Sequence, residues 1–326
     1  MHNKKTLTVL GAGAWGTALA TILAHNGYRV LLWCYEDDVA RDIASNHVNS
    51  RYLPGVVLDD SIVPITDIGV AVASAQVVIE AVPVAYLRSV LECAGVHVPV
   101  GQQWVATSKG IEQATGLLPT EIIKAVLPDV LTVVLSGASF ARDVARKQLT
   151  GLVCAAPTLE SAQQIAALVH NTYTVVDCST DLRGVQACGA LKNIVAIMMG
   201  VAHGAHWADN TRALLFTRAR AELIALVTAL GGTQKTLDGI AGIGDLTLTA
   251  TNIQSRNFSL GVQLGQGKKL EQTQLHGVSE GLHTLKGALQ LAQGVNIPVP
   301  LISVLAALIA ENQTPAEFQA KLYSEL

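Results

Sequence analysis

Charge is scarce in this chain: only 14% of its 326 residues are Asp, Glu, Lys or Arg, and the formal net charge is −3. With no run of Lys or Arg, there is no phosphate-tracking stripe, so nucleic acid is not an expected partner, although local anion sites remain allowed. Cysteine is also sparse. Cys34, Cys93, Cys154, Cys178 and Cys188 form an odd set without a CxxC pair. This predicts reduced thiols in a cytoplasmic setting, with neither a disulfide nor a metal site. Long apolar runs are missing at both ends. The basic start, residues 1–5, leads into an apolar stretch that stops at Gly11-Ala12-Gly13, too short for the core of a signal peptide and better read as a strand. The late run 301–310 is about half of the roughly 20 residues that a membrane span requires. The expectation is therefore a cytoplasmic protein with no membrane span.

What is present is apolar: half of the residues, enough for a large core and too much for disorder. A chain of this length exceeds the size at which one core usually stops growing, so two domains are expected. Up to about residue 177, short β-branched runs at 6–10, 29–33, 77–82, 104–107, 132–135, 151–155 and 173–177 alternate with helical patterns at 14–26, 84–93, 119–127 and 159–170. Strand and helix in alternation predict an α/β fold with a doubly wound, Rossmann-type parallel sheet. Thereafter the helical patterns 182–204, 211–230, 258–265, 280–293 and 301–311 follow one another, with Gly and Pro at the joints. The predicted organisation is a dinucleotide-binding domain, 1–184, and an all-helical substrate domain, 185–326.

The segment Gly11-Ala12-Gly13-Ala14-Trp15-Gly16 is a GxGxxG placed between the first strand and the first helix. In that position Gly11 permits the tight turn, Gly13 lets a diphosphate approach the backbone, and Gly16 lets helix and strand pack closely. The free N–H groups of the helix start then attract the anion. After the second strand comes Tyr35-Glu36-Asp37-Asp38. Acids at this place repel a 2′-phosphate and lean the chemistry toward NAD over NADP. They equally suit the cap of the next helix, and Arg41 stands near enough to compensate.

Lys192 lies in a helical stretch that is apolar on nearly every face, where desolvation lowers an ammonium's pKa toward a useful range for proton transfer. The alternative is a structural lysine whose stem snorkels to the surface. Asp245, in Gly242-Ile243-Gly244-Asp245, is read either as a partner that orients a lysine or as the N-cap of 246–250. Ser255-Arg256-Asn257 offers three donors to a phosphate, or simply begins a solvated helix. Lys109 in Ser108-Lys109-Gly110 and the polar loop 136–141 follow two strands at their carboxyl ends, where ligands of α/β sheets bind. His203 and His206 stand at i,i+3 with no third ligand nearby, which favours a polar helix end over a metal site.

These segments together resemble the NAD(P)-dependent glycerol-3-phosphate dehydrogenase family. The likeness rests on GAGAWGTALA from Gly11, SKG from Ser108, SGASFA from Ser136, GALKNIVAI from Gly189, GIGDL from Gly242, QSRN from Gln254 and VSEG from Val278. It implies interconversion of dihydroxyacetone phosphate and sn-glycerol 3-phosphate with NAD or NADP, feeding phospholipid synthesis, in a cytoplasmic homodimer. By the same resemblance Lys192 is the proton donor and acceptor and Asp245 supports it. Lys109, Gly137, Ser139, Ser255, Arg256 and Asn257 then hold the substrate. Trp15, Tyr35, Lys109, Ala141, Arg256, Val278 and Glu280 join the glycine loop at the cofactor. Ala138 stands where many members carry Pro, which implies a less rigid loop before Ser139. Tyr35 stands where members preferring NADP often carry a basic residue. A related two-domain dehydrogenase acting on another carbonyl substrate, and a catalytically silent NAD(H) sensor, are the competing readings.

Overall fold

A computed structural model of the chain describes residues 5–273 and 279–325. By its contacts the chain divides into two units: Met1–Ser108 with Pro119–Leu182, and Lys109–Leu118 with Arg183–Leu326. The stretch containing Lys109, read from the sequence as part of the sheet domain, thus groups with the helical unit.

In the first unit the order is β1 (Thr6–Leu10), α1 (Ala14–His25), β2 (Arg29–Trp33), α2 (Asp37–Asn46), β3 (Val48–Asn49), β4 (Leu53–Val57) and β5 (Ile62–Ile65). There follow α3 (Ile68–Ala73), β6 (Val77–Glu80), α4 (Val84–Ala94), β7 (Gln103–Ala106), α5 (Pro119–Val126), β8 (Leu131–Ala138), α6 (Ala141–Ala145), β9 (Thr150–Ala155), α7 (Leu159–Val169) and β10 (Thr174–Ser179). Eight strands form one sheet in the order β10-β9-β8-β7-β6-β1-β2-β5, and β3 and β4 make a separate antiparallel ribbon. From β1 the chain goes first to β2 on one side and later to β6 on the other. The order reverses at β1, so the loops after β1 and β6 border the crevice where ligands of such sheets bind. All four residues of β6 are buried, as expected of a strand covered by helices on both faces.

The sheet is parallel except at one edge pairing. β9 runs antiparallel to β8, pairing Gly137 with Leu152 and Ala138 with Gly151, and β10 is parallel to β9. The connection 139–149 holds only the five-residue α6, too little for the crossover of a dozen or more residues that a parallel return needs. Gly137 and Ala138 accordingly belong to β8 itself, not to a loop after it. The segment between β2 and β6 carries an unforeseen ribbon and an edge strand. β5 is four residues long and contains Pro64, tolerable only at an edge and a signal that hides a strand from a sequence reading.

The second unit contains, after a short lead-in from Lys109 to Leu118, α8 (Leu182–Gly204), α9 (Asp209–Ala229), α10 (Gln234–Leu237), a π-turn (Ile240–Gly244), α11 (Asp245–Ala250), α12 (Arg256–Gly265), α13 (Glu280–Gly294), α14 (Pro300–Ala310) and α15 (Pro315–Glu325). α8 is long and apolar enough to cross a membrane, but its apolar window is wholly buried inside the protein. It is the core helix of its unit, packed among Leu215, Leu223, Leu260 and Leu305. Glycines let it lie very close to α12. A Cβ at Gly200 or Gly204 would come within 2.1 Å of the Phe258 or Val262 carbonyl oxygen, and one at Gly261 or Gly265 within 2.2 Å of the Ile197 or Val201 carbonyl oxygen. This backbone-to-backbone crossing fixes the start of α12, with Arg256 and Asn257, relative to the turn of α8 that carries Lys192.

Candidate active site

In the helical unit, three charged groups from distant parts of the chain converge. Lys192 on α8 is only 6% exposed and Asp245, the first residue of α11, only 1%. The Lys192 ammonium donates to Asp245 Oδ1 and, at 2.8 Å, to Thr249 Oγ1. The Lys109 ammonium donates to the other oxygen, Asp245 Oδ2, at 2.8 Å. One carboxylate therefore serves two ammonium groups, and a hydroxyl one helical turn along α11 completes the grip on Lys192.

Burial pushes the Lys192 ammonium down to about 8, the nearby Lys109 cation adding to the effect while Asp245 opposes it. For Asp245, burial alone would raise the pKa, but the attraction of Lys109 and Lys192 outweighs it and holds the carboxyl below the usual range. The result is a carboxylate that stays charged beside an amine poised to give or take a proton near neutrality.

The path to Asp245 answers one alternative left by the sequence. Gly244 occupies the N-cap position of α11 and Asp245 is already inside the helix, entered through the π-turn without a break. Its carboxylate is taken up by the two lysines and, at 3.3 Å, by the Thr249 hydroxyl, and caps nothing. The wider turn is accommodated by Gly242, where a Cβ would collide with the Leu237 carbonyl group at 2.2 Å from its oxygen. Lys192 does not snorkel either, since its ammonium ends on buried partners.

Ser255, Arg256 and Asn257 divide their tasks. Ser255 is the N-cap of α12, accepting from Phe258 N at 3.2 Å. Asn257 Oδ1 accepts from Ser279 Oγ and Gly281 N, both at 3.0 Å, and its amide nitrogen has no acceptor among the described residues. Arg256 is exposed, with no ion-pair partner among the described residues. Glu280 begins α13 and accepts from Asn193 Nδ2 at 3.2 Å. Val278 lies outside the described residues. Thr249 and Asn193 escaped the sequence reading. Thr249 stands at i+4 from Asp245, a spacing that placed it on the same face.

The sheet unit holds the other expected residues. Gly11, with φ +108°, turns so tightly that a Cβ would come 2.8 Å from the Ala81 carbonyl oxygen, and one at Gly16 would come 1.9 Å from the Gly11 carbonyl oxygen. Gly13, the N-cap of α1, makes no side-chain cap, and a Cβ there would meet nothing within 4 Å. Two glycines are thus needed by the fold and the third opens onto free space at a helix N-terminus, the geometry that accepts a dinucleotide's diphosphate. Trp15 and Ala141 are partly buried against the core of the same unit. Tyr35, just past β2, is 80% exposed. Glu36 accepts from the Tyr52 hydroxyl at 2.5 Å and pairs with Arg51 at 4.0 Å, and Arg51 also reaches Asp38 at 3.3 Å. Beside these acids Arg51 is a further cation, in addition to Arg41. Ser139 follows β8, its hydroxyl 3.4 Å from the Gly137 carbonyl oxygen.

Glu80, at the carboxyl end of β6, was not foreseen. It is fully buried and accepts from Val82 N at 2.6 Å and from Ser108 Oγ at 2.8 Å. Burial, only partly offset by these donors, pushes it up to about 7.

Comparison with known proteins is decisive. The family described as NAD-dependent glycerol-3-phosphate dehydrogenase matches through its N-terminal domain over residues 6–162 and its C-terminal domain over 181–320. The chain belongs to this glycerol-3-phosphate dehydrogenase family. Among members of the family, the glycerol-3-phosphate dehydrogenase [NAD(P)+] of Geobacillus thermodenitrificans is 40% identical over 318 residues, covering 96% of this chain and 93% of that one. The protein of the same name from Rhodospirillum rubrum is 42% identical over 308 residues, covering 93% and 88%. A crystal structure of the glycerol-3-phosphate dehydrogenase from Coxiella burnetii superposes with a TM-score of 0.94 at 32% identity, covering 98% of this chain and 99% of that one.

Proposed function

We propose that this chain is an NAD(P)-dependent oxidoreductase that interconverts dihydroxyacetone phosphate and sn-glycerol 3-phosphate, with Lys192 as the group that moves the proton. The observation that carries the reading is the buried Lys192 ammonium, held by Asp245 and Thr249 and poised near neutrality, in a chain of this family. The cofactor, when bound, supplies the hydride. Lys192 donates a proton from Nζ to the ketone oxygen as negative charge develops there, and in the oxidising direction the neutral amine takes the proton back from the hydroxyl. A positive charge already fixed in a dry site acts most strongly on the charge of the transition state. Asp245 keeps the amine oriented, and its second oxygen ties Lys109 into the same arrangement.

For the phosphate, the guanidinium of Arg256, which has no ion-pair partner among the described residues, and the amide nitrogen of Asn257 are the donors of choice. Binding energy from this non-reacting end positions the carbonyl. Ser255 contributes by capping the helix that presents them. For Lys109 itself, Gly137 and Ser139 the substrate role rests on the family resemblance. Gly11, Gly13, Trp15 and Gly16 would receive the diphosphate and Tyr35 the adenosine, while Ala141, Glu280 and Val278 carry their cofactor role by resemblance. Glu36 and Asp38 beside Tyr35 favour NAD over NADP, although Arg51 offers a cation to a 2′-phosphate. The same reading has the protein working in the cytoplasm as a homodimer and supplying glycerol 3-phosphate for phospholipid synthesis.

The direct experiment follows NADH and NADPH oxidation with dihydroxyacetone phosphate, with unphosphorylated dihydroxyacetone as control. Rapid oxidation with the first substrate alone, faster with NADH, is expected. No oxidation with either would remove the assignment and leave a silent nucleotide-binding protein. Preference for another ketone would point to a related dehydrogenase.

A further inference from the structure

We infer that Asn49 is a positioning residue for the diphosphate of the cofactor, acting through the peptide that joins Ala12 to Gly13. Asn49 lies on the ribbon strand β3, 32 residues beyond Thr17 in sequence, and is 1% exposed. Its Nδ2 donates to the Ala12 carbonyl oxygen at 2.8 Å and to Thr17 Oγ1 at 2.9 Å. Thr17 Oγ1 donates in turn to the same Ala12 oxygen at 3.3 Å. Asn49 Oδ1 accepts from Tyr52 N at 3.1 Å, which closes the turn of the ribbon and fixes the asparagine's orientation.

The Ala12 carbonyl therefore points inward to two donors. In a planar trans peptide the C=O and the following N–H point in opposite directions. Holding the oxygen inward turns the Gly13 N–H the opposite way, and this N–H has no acceptor among the described residues; a Cβ at Gly13 likewise would meet nothing within 4 Å. A rotation of this one peptide would replace the donor facing the anion by a carbonyl oxygen. A glycine-rich turn can make such a rotation at little steric cost, so an external lock is needed, and Asn49 with Thr17 supplies it. The ribbon has no part in the main sheet; buttressing this loop gives it a purpose.

The inference rests on the glycine loop receiving the diphosphate, and the test separates the two. Isothermal titration with ADP-ribose, which carries the diphosphate, is set beside inhibition by adenosine, which does not, for the parent and the variants Asn49→Leu, Thr17→Val and Gly13→Ala. For Asn49→Leu the expected result is roughly tenfold weaker ADP-ribose binding and a similar rise in KM for NADH. Adenosine inhibition and kcat should stay within about twofold. Thr17→Val, which preserves volume, should show the same pattern at about threefold and serves if Asn49→Leu does not fold. Equal weakening of ADP-ribose and adenosine, or no weakening of either, overturns the role of Asn49. Gly13→Ala places a methyl group in the open space. If it weakens ADP-ribose while the other two do not, the loop assignment stands and the Asn49 inference falls. If it has no effect, the loop assignment itself is wrong.

Discussion

Lys192 Nζ and Thr249 Oγ1 lie 2.8 Å apart, although 57 residues separate them in sequence. Together with Asp245 Oδ1, this hydroxyl determines where the buried amine points. Thr249→Val keeps the shape and removes the acceptor. Turnover is expected to fall by about tenfold with KM for NADH little changed, and Thr249→Ser should restore most of it. Steady-state kinetics on the three proteins checks this, and a fully active valine variant would contradict the orienting role.

Lys192→Ala should lower kcat by about 10²–10⁴, the usual range for losing a general acid, while the Kd for NADH stays nearly constant. The pH dependence has a definite sign. Reduction needs the ammonium form, so its rate should decline as pH rises through about 8. Oxidation needs the neutral amine and should rise through the same range. Rate profiles in both directions provide the measurement, and a profile unchanged in the alanine variant would exclude Lys192 as their origin.

Asp245→Asn leaves two neighbouring ammonium groups without their shared carboxylate. Breaking such a buried pair costs about 3–5 kcal/mol, visible as a large drop in denaturation midpoint. Because Asp245 raises the Lys192 pKa and Lys109 lowers it, the residual activity should show both the alkaline decline of reduction and the rise of oxidation shifted to lower pH.

Arg256→Ala should reduce kcat/KM for dihydroxyacetone phosphate by roughly 10²-fold, the loss of a charged hydrogen-bonding partner. The weak rate with unphosphorylated dihydroxyacetone should hardly move. Equal losses on both substrates would show that Arg256 acts on folding or cofactor and not on the phosphate.

Glu80 gives the fold a pH dependence of its own. Its folded-state pKa is raised from 4.5 to about 7, so the folded protein binds this proton more tightly than the unfolded chain does. The corresponding stability is fully present below about 4.5 and is lost as pH climbs through about 7, on the order of 3 kcal/mol in all. Glu80→Gln cannot ionise and should gain stability relative to the parent between pH 5 and pH 8. Thermal melts at the two values measure the gain; a constant difference would mean that Glu80 is not the titrating group.

Much of this protein can be read from its sequence because the signals are local. The continuous apolar strands, the GxGxxG between a strand and a helix, and an apolar helix interrupted by Lys192 all follow from neighbours in the chain. Burial and backbone geometry act on them residue by residue. Tertiary structure decided what depends on partners far away. It turned β9 antiparallel, since the chain between β8 and β9 is too short to cross over. It seated Asp245 inside a helix through a π-turn, a departure from regular spacing that no periodicity announces. It also brought Asn49 beneath Ala12 and Thr249 against Lys192, contacts across which the sequence carries no pattern, because a hydrogen bond between distant residues leaves no mark on the residues that lie between them.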